Sequence, residues 1–249
     1  MSTCAKHYEE LLAEHYVWMF GVSFDQKVAE QKALLAPILS PATRHGPAFD
    51  LGSGPGFQTI ALAELGYSPV IAVDTSKKLL AELRAHSGSH AVETREADLL
   101  FLESADLSER AAVIVCMGDT LTHLPSKAAV QTLFTAVFGK LAPDGVFVVT
   151  YRDLSRELVG VDRFLPVRAD DATILTCFLE YKNDDAVVVN DLLYVRGENG
   201  WQLKKSNYEK LRLAQDWVAN ALRKAGFRIE RLGPAGRMVL VVAQKEALK

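Results

Sequence analysis

From Ala48 onward, short apolar runs alternate with stretches of helical period, which is the arrangement of βαβ units and a parallel sheet. The pattern predicts a first strand ending at Asp50 and further strands over 69–73, 91–95, 111–116 and 146–151. Helices are expected over 58–65, 77–86 and 126–141. Gly66 stands where the first helix should stop, Ser76 is placed to cap the second, and Pro143-Asp144-Gly145 turns the third into the fifth strand. The run 111–116 is the most apolar and suits a central strand covered on both faces.

After Leu154 the rhythm changes. Residues 170–213 alternate apolar and polar in three runs, separated by Asn183-Asp184-Asp185 and by Gly197-Glu198-Asn199-Gly200, so antiparallel strands are expected there. A helix over 214–225 precedes Gly226. The runs 228–232 and 237–242 are joined by Gly233-Pro234-Ala235-Gly236, too short for a crossover helix, and therefore pair antiparallel. Ahead of this core, residues 6–39 have the period of one or two amphipathic helices interrupted near Gly21.

Composition narrows the picture only in part. A chain of 249 residues with 49% hydrophobic content can bury a sizeable core. Its net charge of −3 provides no general attraction for nucleic acid, and the basic cluster of Lys204, Lys205, Lys210 and Arg212 is expected to be solvated surface. Cys4, Cys116 and Cys177 are odd in number and share no metal-ligand spacing, so neither a disulfide framework nor a metal site is expected. The N-terminus lacks the pattern of a signal peptide and no apolar run approaches membrane-spanning length, so a cytoplasmic protein without a membrane partner is expected.

The candidate chemistry begins at Phe49-Asp50-Leu51-Gly52-Ser53-Gly54-Pro55-Gly56-Phe57: an acidic strand end, glycines at alternate positions, then a helix start. A dinucleotide fingerprint would need a further glycine spacing, Gly-x-Gly-x-x-Gly, and Phe57 stands where that glycine belongs. In open α/β sheets ligands sit beyond the carboxyl ends of the strands, so each strand end is informative. Asp74, beside Thr75, can accept both hydroxyls of a ribose. Asp98 with Leu99 fits either an adenine amino group and ring face or a plain helix cap. The fourth strand opens into Met117-Gly118-Asp119, followed by His123, which is either a general base or a packed histidine. Tyr151-Arg152-Asp153 ends the fifth strand, there to hold an acceptor carboxylate or to satisfy the backbone of the insertion. Tyr16 and Trp18 form either a lid over the cofactor or helical core.

Over roughly residues 48–154 and 214–244 these motifs resemble the class I S-adenosylmethionine (SAM) dependent methyltransferases. The resemblance implies a Rossmann-like α/β fold, with a seven-stranded, mostly parallel sheet and helices on both faces. An N-terminal helical cap (1–45) and an antiparallel β insertion after the fifth strand (155–213) would flank a core of 46–154 and 214–249. It implies SAM, with S-adenosylhomocysteine as product, bound by Asp50, Gly52, Ser53, Gly54, Gly56, Asp74, Thr75, Asp98 and Leu99, with Met117, Gly118, Tyr16 and Trp18 contributing. The added elements look more loosely like those of glycine and sarcosine N-methyltransferases, which implies a small-molecule acceptor.

No Asn-Pro-Pro-Tyr or Asp-Pro-Pro-Tyr follows the fourth strand, which speaks against a nucleic-acid acceptor. Arg152 and His123 are the candidates for holding the acceptor. His123, Tyr151 and Asp119 are those for moving a proton if N- or O-methylation requires one. Two other readings stay open: an oxidoreductase using NAD or another nucleotide, and a SAM-binding module without catalysis. An oligomer formed through the insertion is compatible with any of them.

Overall fold

The computed structural model describes residues 3–39, 46–105 and 110–246. Positions 1–2 and 40–45 of the expected cap, and 106–109 and 247–249 of the core, lie outside these. The chain opens with α1 (Thr3–His7), passes through a π-helical turn at Tyr8–Leu12 and 3-10 turns at Ala13–His15 and Trp18–Phe20, and then reverses at Gly21. Helix α2 (Phe24–Leu35) follows, with Ser23 Oγ accepting from the Gln26 N–H at 3.2 Å.

The core then alternates as its hydrophobic pattern predicts: β1 (Ala48–Leu51), α3 (Phe57–Glu64), β2 (Val70–Asp74), α4 (Lys77–His86), β3 (Val92–Glu96), α5 (Phe101–Ser104), β4 (Ala111–Cys116), α6 (Lys127–Lys140) and β5 (Leu141–Tyr151). The insertion carries β6 (Phe164–Ala169), β7 (Thr173–Tyr181), β8 (Ala186–Gly197) and β9 (Gly200–Leu211). Helix α7 (Gln215–Lys224) leads back to β10 (Phe227–Ala235) and β11 (Met238–Lys245).

The main sheet has the order β10-β11-β5-β4-β1-β2-β3. Strands β1 to β5 run parallel, and β11 lies antiparallel to both β5 and β10. The strand order therefore reverses between β1 and β4, which opens a crevice at their carboxyl ends. β4 is buried along nearly its whole length, as an apolar strand covered on both faces should be. One core cluster lies on the α6 and α7 face, around Phe134, Phe147 and Phe227. The other lies beneath α2, α3 and α4.

The inserted sheet has four antiparallel strands in the order β6-β7-β8-β9, one more than the alternation suggests. The additional strand, β6, contains Pro166 and leaves Phe164 and Val167 exposed. It is an edge strand, where a proline costs no ladder bond and a buried stripe is not required. The inner face of β7 and β8 is buried in strict alternation. Leu175 and Leu193 of that face pack on Leu11 and Leu12, so the N-terminal segment lies between the inserted sheet and the main crevice. Among the described residues no helix is long and apolar enough to cross a membrane.

Candidate functional site

The crevice at the β1/β4 reversal is lined by the glycine turn, by the ends of β2 and β3, by the turn after β4, and by Cys4, Tyr8 and Tyr16 of the N-terminal segment. At the glycine turn, Gly52 has φ +75°, and a Cβ there would stand 2.2 Å from Thr120 Cγ2. Only a glycine allows the turn after β4 to pack directly on this loop. Gly56, at φ +100°, brings α3 onto α4: a Cβ would lie 2.1 Å from Leu83 Cδ1. Phe57, the residue that breaks the dinucleotide spacing, is a core aromatic, 5.4 Å from the ring of Phe20 and 5.2 Å from that of Phe24.

Asp50 lies behind this loop, 1% exposed. Its Oδ2 accepts from the Thr59 hydroxyl at 2.7 Å, while its Oδ1 is buried without a hydrogen-bond partner. Burial pushes the carboxyl up to about 7, and the bonds from Thr59 pull the other way. A buried oxygen without a donor, two residues before Gly52, is suited to an ammonium reaching it directly or through water. Asp74 Oδ2 accepts from the Gly54 N–H and Oδ1 from the Ser76 N–H, each at 2.8 Å. These bonds aim the carboxylate across the crevice and leave lone pairs for a diol. Burial raises its pKa against the pull of those N–H groups. Asp98 is exposed at the rim, with Oδ1 accepting from the Leu100 N–H at 2.9 Å, and Leu99 beside it is buried. At Gly118 a side chain would meet nothing within 4 Å, so the floor of the crevice is open there. Together these donors and acceptors fit the amino-acid, ribose and adenine parts of SAM.

The expected site residues do not all reach the crevice. Thr75 lines it; Ser53 is buried in the loop, its hydroxyl 3.5 Å from the Gly54 carbonyl. The side chain of Met117 belongs to the core beneath α3, and only its carbonyl is engaged in the turn, accepting from Thr120 Oγ1 at 2.9 Å. Tyr16 lies over the glycine turn, its Cε1 3.5 Å from where a Gly54 Cβ would be. Trp18 points away from the crevice and donates to Asp170 Oδ2 at 2.5 Å. Tyr151 is a correction to the expected proton-transfer set. It is fully buried in the core cluster with Leu213 and Val218, because residues 147, 149 and 151 share the α6/α7 face of β5. The residue of β5 that faces the turn is Thr150, whose Oγ1 accepts from the Gly118 N–H at 2.9 Å.

The turn after β4 holds Asp119 at φ +79°, a left-handed conformation that aspartate tolerates better than most residues. Its Oδ1 accepts from the Arg152 N–H (2.9 Å) and the Thr122 hydroxyl (3.0 Å), and its Oδ2 pairs with Lys210 Nζ at 2.5 Å. Burial, the largest single influence, pushes this carboxyl up, but Lys210, His123 and the Arg152 N–H together outweigh it and the net shift is downward. The Arg152 side chain is exposed, its Nε 3.8 Å from Asp119 Oδ2. His123 is half-buried in the crevice wall, with Nδ1 2.9 Å from Cys4 Sγ and Nε2 3.5 Å from Tyr8 Oη. Burial, then the charge of Lys210, brings its pKa down to about 3.

Lys210 and Arg212 overturn the expectation of a solvated basic patch. Both are buried, whereas Lys204 and Lys205 remain exposed. Arg212 donates to the carbonyls of Leu154, Ser155 and Asn183 and to Glu157, which fixes the chain where it leaves the core. Tyr8 and Cys4, which belong to no recognisable motif, also stand in the crevice wall beyond the expected set. For Lys210 the available signal was the period-two pattern of β9, which puts it on the same face as Tyr208 and so toward the protein interior.

Residues 48–145 match the methyltransferase domain family. The chain is 26% identical over 153 residues to the glycine/sarcosine N-methyltransferase of Halorhodospira halochloris, covering 59% of this chain and 55% of that protein. It is 28% identical over 107 residues to the glycine/sarcosine/dimethylglycine N-methyltransferase of Actinopolyspora halophila, covering 42% and 19%. The chain thus matches about half of one relative and a fifth of the other. Among solved structures it is similar to the CcbJ methyltransferase of Streptomyces caelestis, with a TM-score of 0.78, 19% identity and coverage of 96% and 98%. It is also similar to the SAM-bound amino pentose methyltransferase CalS10 of Micromonospora echinaspora, with a TM-score of 0.72, 17% identity and coverage of 93% and 95%. Residues 48–145 are thus similar to the methyltransferase domain family, and the chain shares the fold of these solved methyltransferases.

Proposed function

We propose that this protein methylates the amine of a small molecule, using SAM. The observation that carries the choice of an amine is the state of the titratable groups beside the crevice. Asp119 is committed to Lys210, His123 is neutral with little basicity, and Tyr151 is elsewhere. A hydroxyl acceptor needs a base to remove its proton, whereas a neutral amine attacks with its own lone pair. The names of the two relatives point the same way.

SAM, when bound, supplies an electrophilic methyl group for an in-line displacement. The protein's share is to align and to exclude water. In this reading Asp50 and the glycine turn hold the amino-acid end, Asp74 the ribose, and Asp98 with Leu99 the adenine. Tyr8 and Tyr16 cover the crevice. Arg152, exposed at the far rim, takes a carboxylate on the acceptor.

The test is a parallel calorimetric titration with SAM, S-adenosylhomocysteine and NAD, followed by turnover of amine and hydroxyl acceptors matched in size. Adenosyl ligands should bind and NAD should not. With SAM saturating, the rate should follow the fraction of acceptor amine that is unprotonated, with no contribution from His123 near 6.5. Faster turnover of hydroxyl acceptors would remove the amine assignment. NAD binding alone would remove the methyltransferase reading.

Arg152→Met should raise KM for a carboxylate-bearing acceptor about 10- to 100-fold while leaving SAM affinity in place, as expected for one charge-assisted bond. An unchanged KM assigns the acceptor's recognition to other residues.

A further inference from the structure

We infer that Lys210 is a positioning residue of this site: its ammonium, projecting from the inserted sheet, clamps Asp119 and thereby orients the turn that presents His123. The inference rests on the methyltransferase reading for its kinetics but not for its structural readout.

Asp119 is where three parts of the molecule meet. Its carboxylate takes the backbone N–H of Arg152 at the exit of β5, the Thr122 hydroxyl of its own turn, and Lys210 of β9. Thr122 also donates from its N–H and hydroxyl to the Asp119 carbonyl, at 3.2 and 2.8 Å, and His123 is the next residue. The conformation of Asp119 therefore sets that of the residue next to His123. The Lys210 side chain is 10% exposed, and its Nζ lies 5.6 Å from the centroid of the Tyr208 ring, which itself stacks on His123 at 5.3 Å. An ammonium removed from water in this way is retained at a cost, and an ion pair of that kind is best attested where it fixes register between parts.

His123 is faced by Cys4, His7 and Tyr8 from the N-terminal segment, by Tyr208 and Lys210 from β9, and by Asp119 from its own turn. Among the charges here, Lys210 disfavours a proton on the imidazole more than Asp119 favours one. The clamp that orients the ring thus adds to the burial that keeps it neutral, and a neutral ring leaves an incoming amine free of a cationic neighbour at that position.

The experiment compares Lys210→Met, Lys210→Arg and the paired Lys210→Met/Asp119→Asn. Each is measured for SAM affinity, for kcat and KM, and for the NMR titration of the His123 ring. Lys210→Met should keep SAM affinity and lose about a hundredfold in kcat, the scale of an ångström-sized misplacement. Its imidazole should titrate higher than in the native protein, where Lys210 adds to the effect of burial. Lys210→Arg should recover part of kcat and keep the titration low. If Lys210→Met does not fold, the paired variant, which leaves no lone buried charge, should fold with reduced kcat and a smaller upward shift. A His123 titration unmoved in Lys210→Met, or in the paired variant where that alone folds, overturns the inference, as does a native kcat in either. Should the native protein fail to bind SAM, the methyltransferase reading falls, while the titration still decides whether Lys210 acts on His123.

Discussion

The two sides of the crevice are built by different means. On the side proposed for the cofactor, the ends of β1, β2 and β3 are short turns whose backbone N–H groups aim the carboxylates: Gly54 and Ser76 on Asp74, Leu100 on Asp98. On the side proposed for the acceptor, charged side chains are brought in from a separate sheet and buried against one another, as Lys210 is on Asp119. The first construction needs particular residues within a few positions of each other. The second needs partners 91 residues apart, in a geometry that only the folded chain supplies.

The contrast can be pressed hardest at Asp50. Its folded-state pKa of about 7 exceeds the ordinary 3.8, so the folded protein holds the proton more tightly than the unfolded chain. The stability Asp50 contributes is therefore full below about pH 4 and declines until the pH passes about 7. The loss is roughly 4 kcal/mol, since the carboxyl gives up ~1.4 kcal/mol for each pH unit crossed between those two values. Asp50→Asn should flatten that decline in denaturant titrations, and SAM should bind with proton release across the same range. Next, Gly52→Ala combines left-handed strain with overlap on Thr120, about 3 kcal/mol together. It should lower the melting temperature and the SAM affinity at once. Asp74→Ala should weaken SAM by about 10- to 100-fold with little effect on acceptor KM, as the loss of charge-assisted bonds to a diol implies. At the small end, Lys205→Ala should change stability by less than about 0.5 kcal/mol and leave turnover unaffected, although it stands in the same basic run as Lys210. A large effect at Lys205 would mean that exposure is not what separates the two lysines.

The same contrast explains what was legible in the sequence. The main sheet, its terminal antiparallel pair and the glycine turn could be read because strand period, short connections and positive φ each restrict residue type locally. The dinucleotide reading fails on Phe57, whose ring packs beneath the N-terminal segment. Tyr151 was legible in type but not in direction: alternation along β5 sends Phe147, Val149 and Tyr151 to one face and Val148 with Thr150 to the other. β6 was missed because an edge strand with a proline needs no buried stripe. Lys210 and Arg212 were misplaced because lysine and arginine are exposed in most settings, and the partners that bury them are distant in the chain.

The N-terminal segment, seated between the inserted sheet and the crevice, has a bearing on how the molecule comes into being. Leu11 and Leu12 pack on Leu175 and Leu193, and Trp18 bonds to Asp170, 152 positions later. During synthesis from the ribosome, residues 3–20 emerge well before β7 and β8, so Leu11, Leu12 and Trp18 wait for their partners until those strands have followed. Contacts of such separation are slow to form, and the apolar face meanwhile stays bare. The wall of the crevice that carries Tyr8 and Tyr16 is thus among the last parts to be assembled, so a nascent chain acquires its nucleoside-binding turns well before it acquires an enclosed chamber.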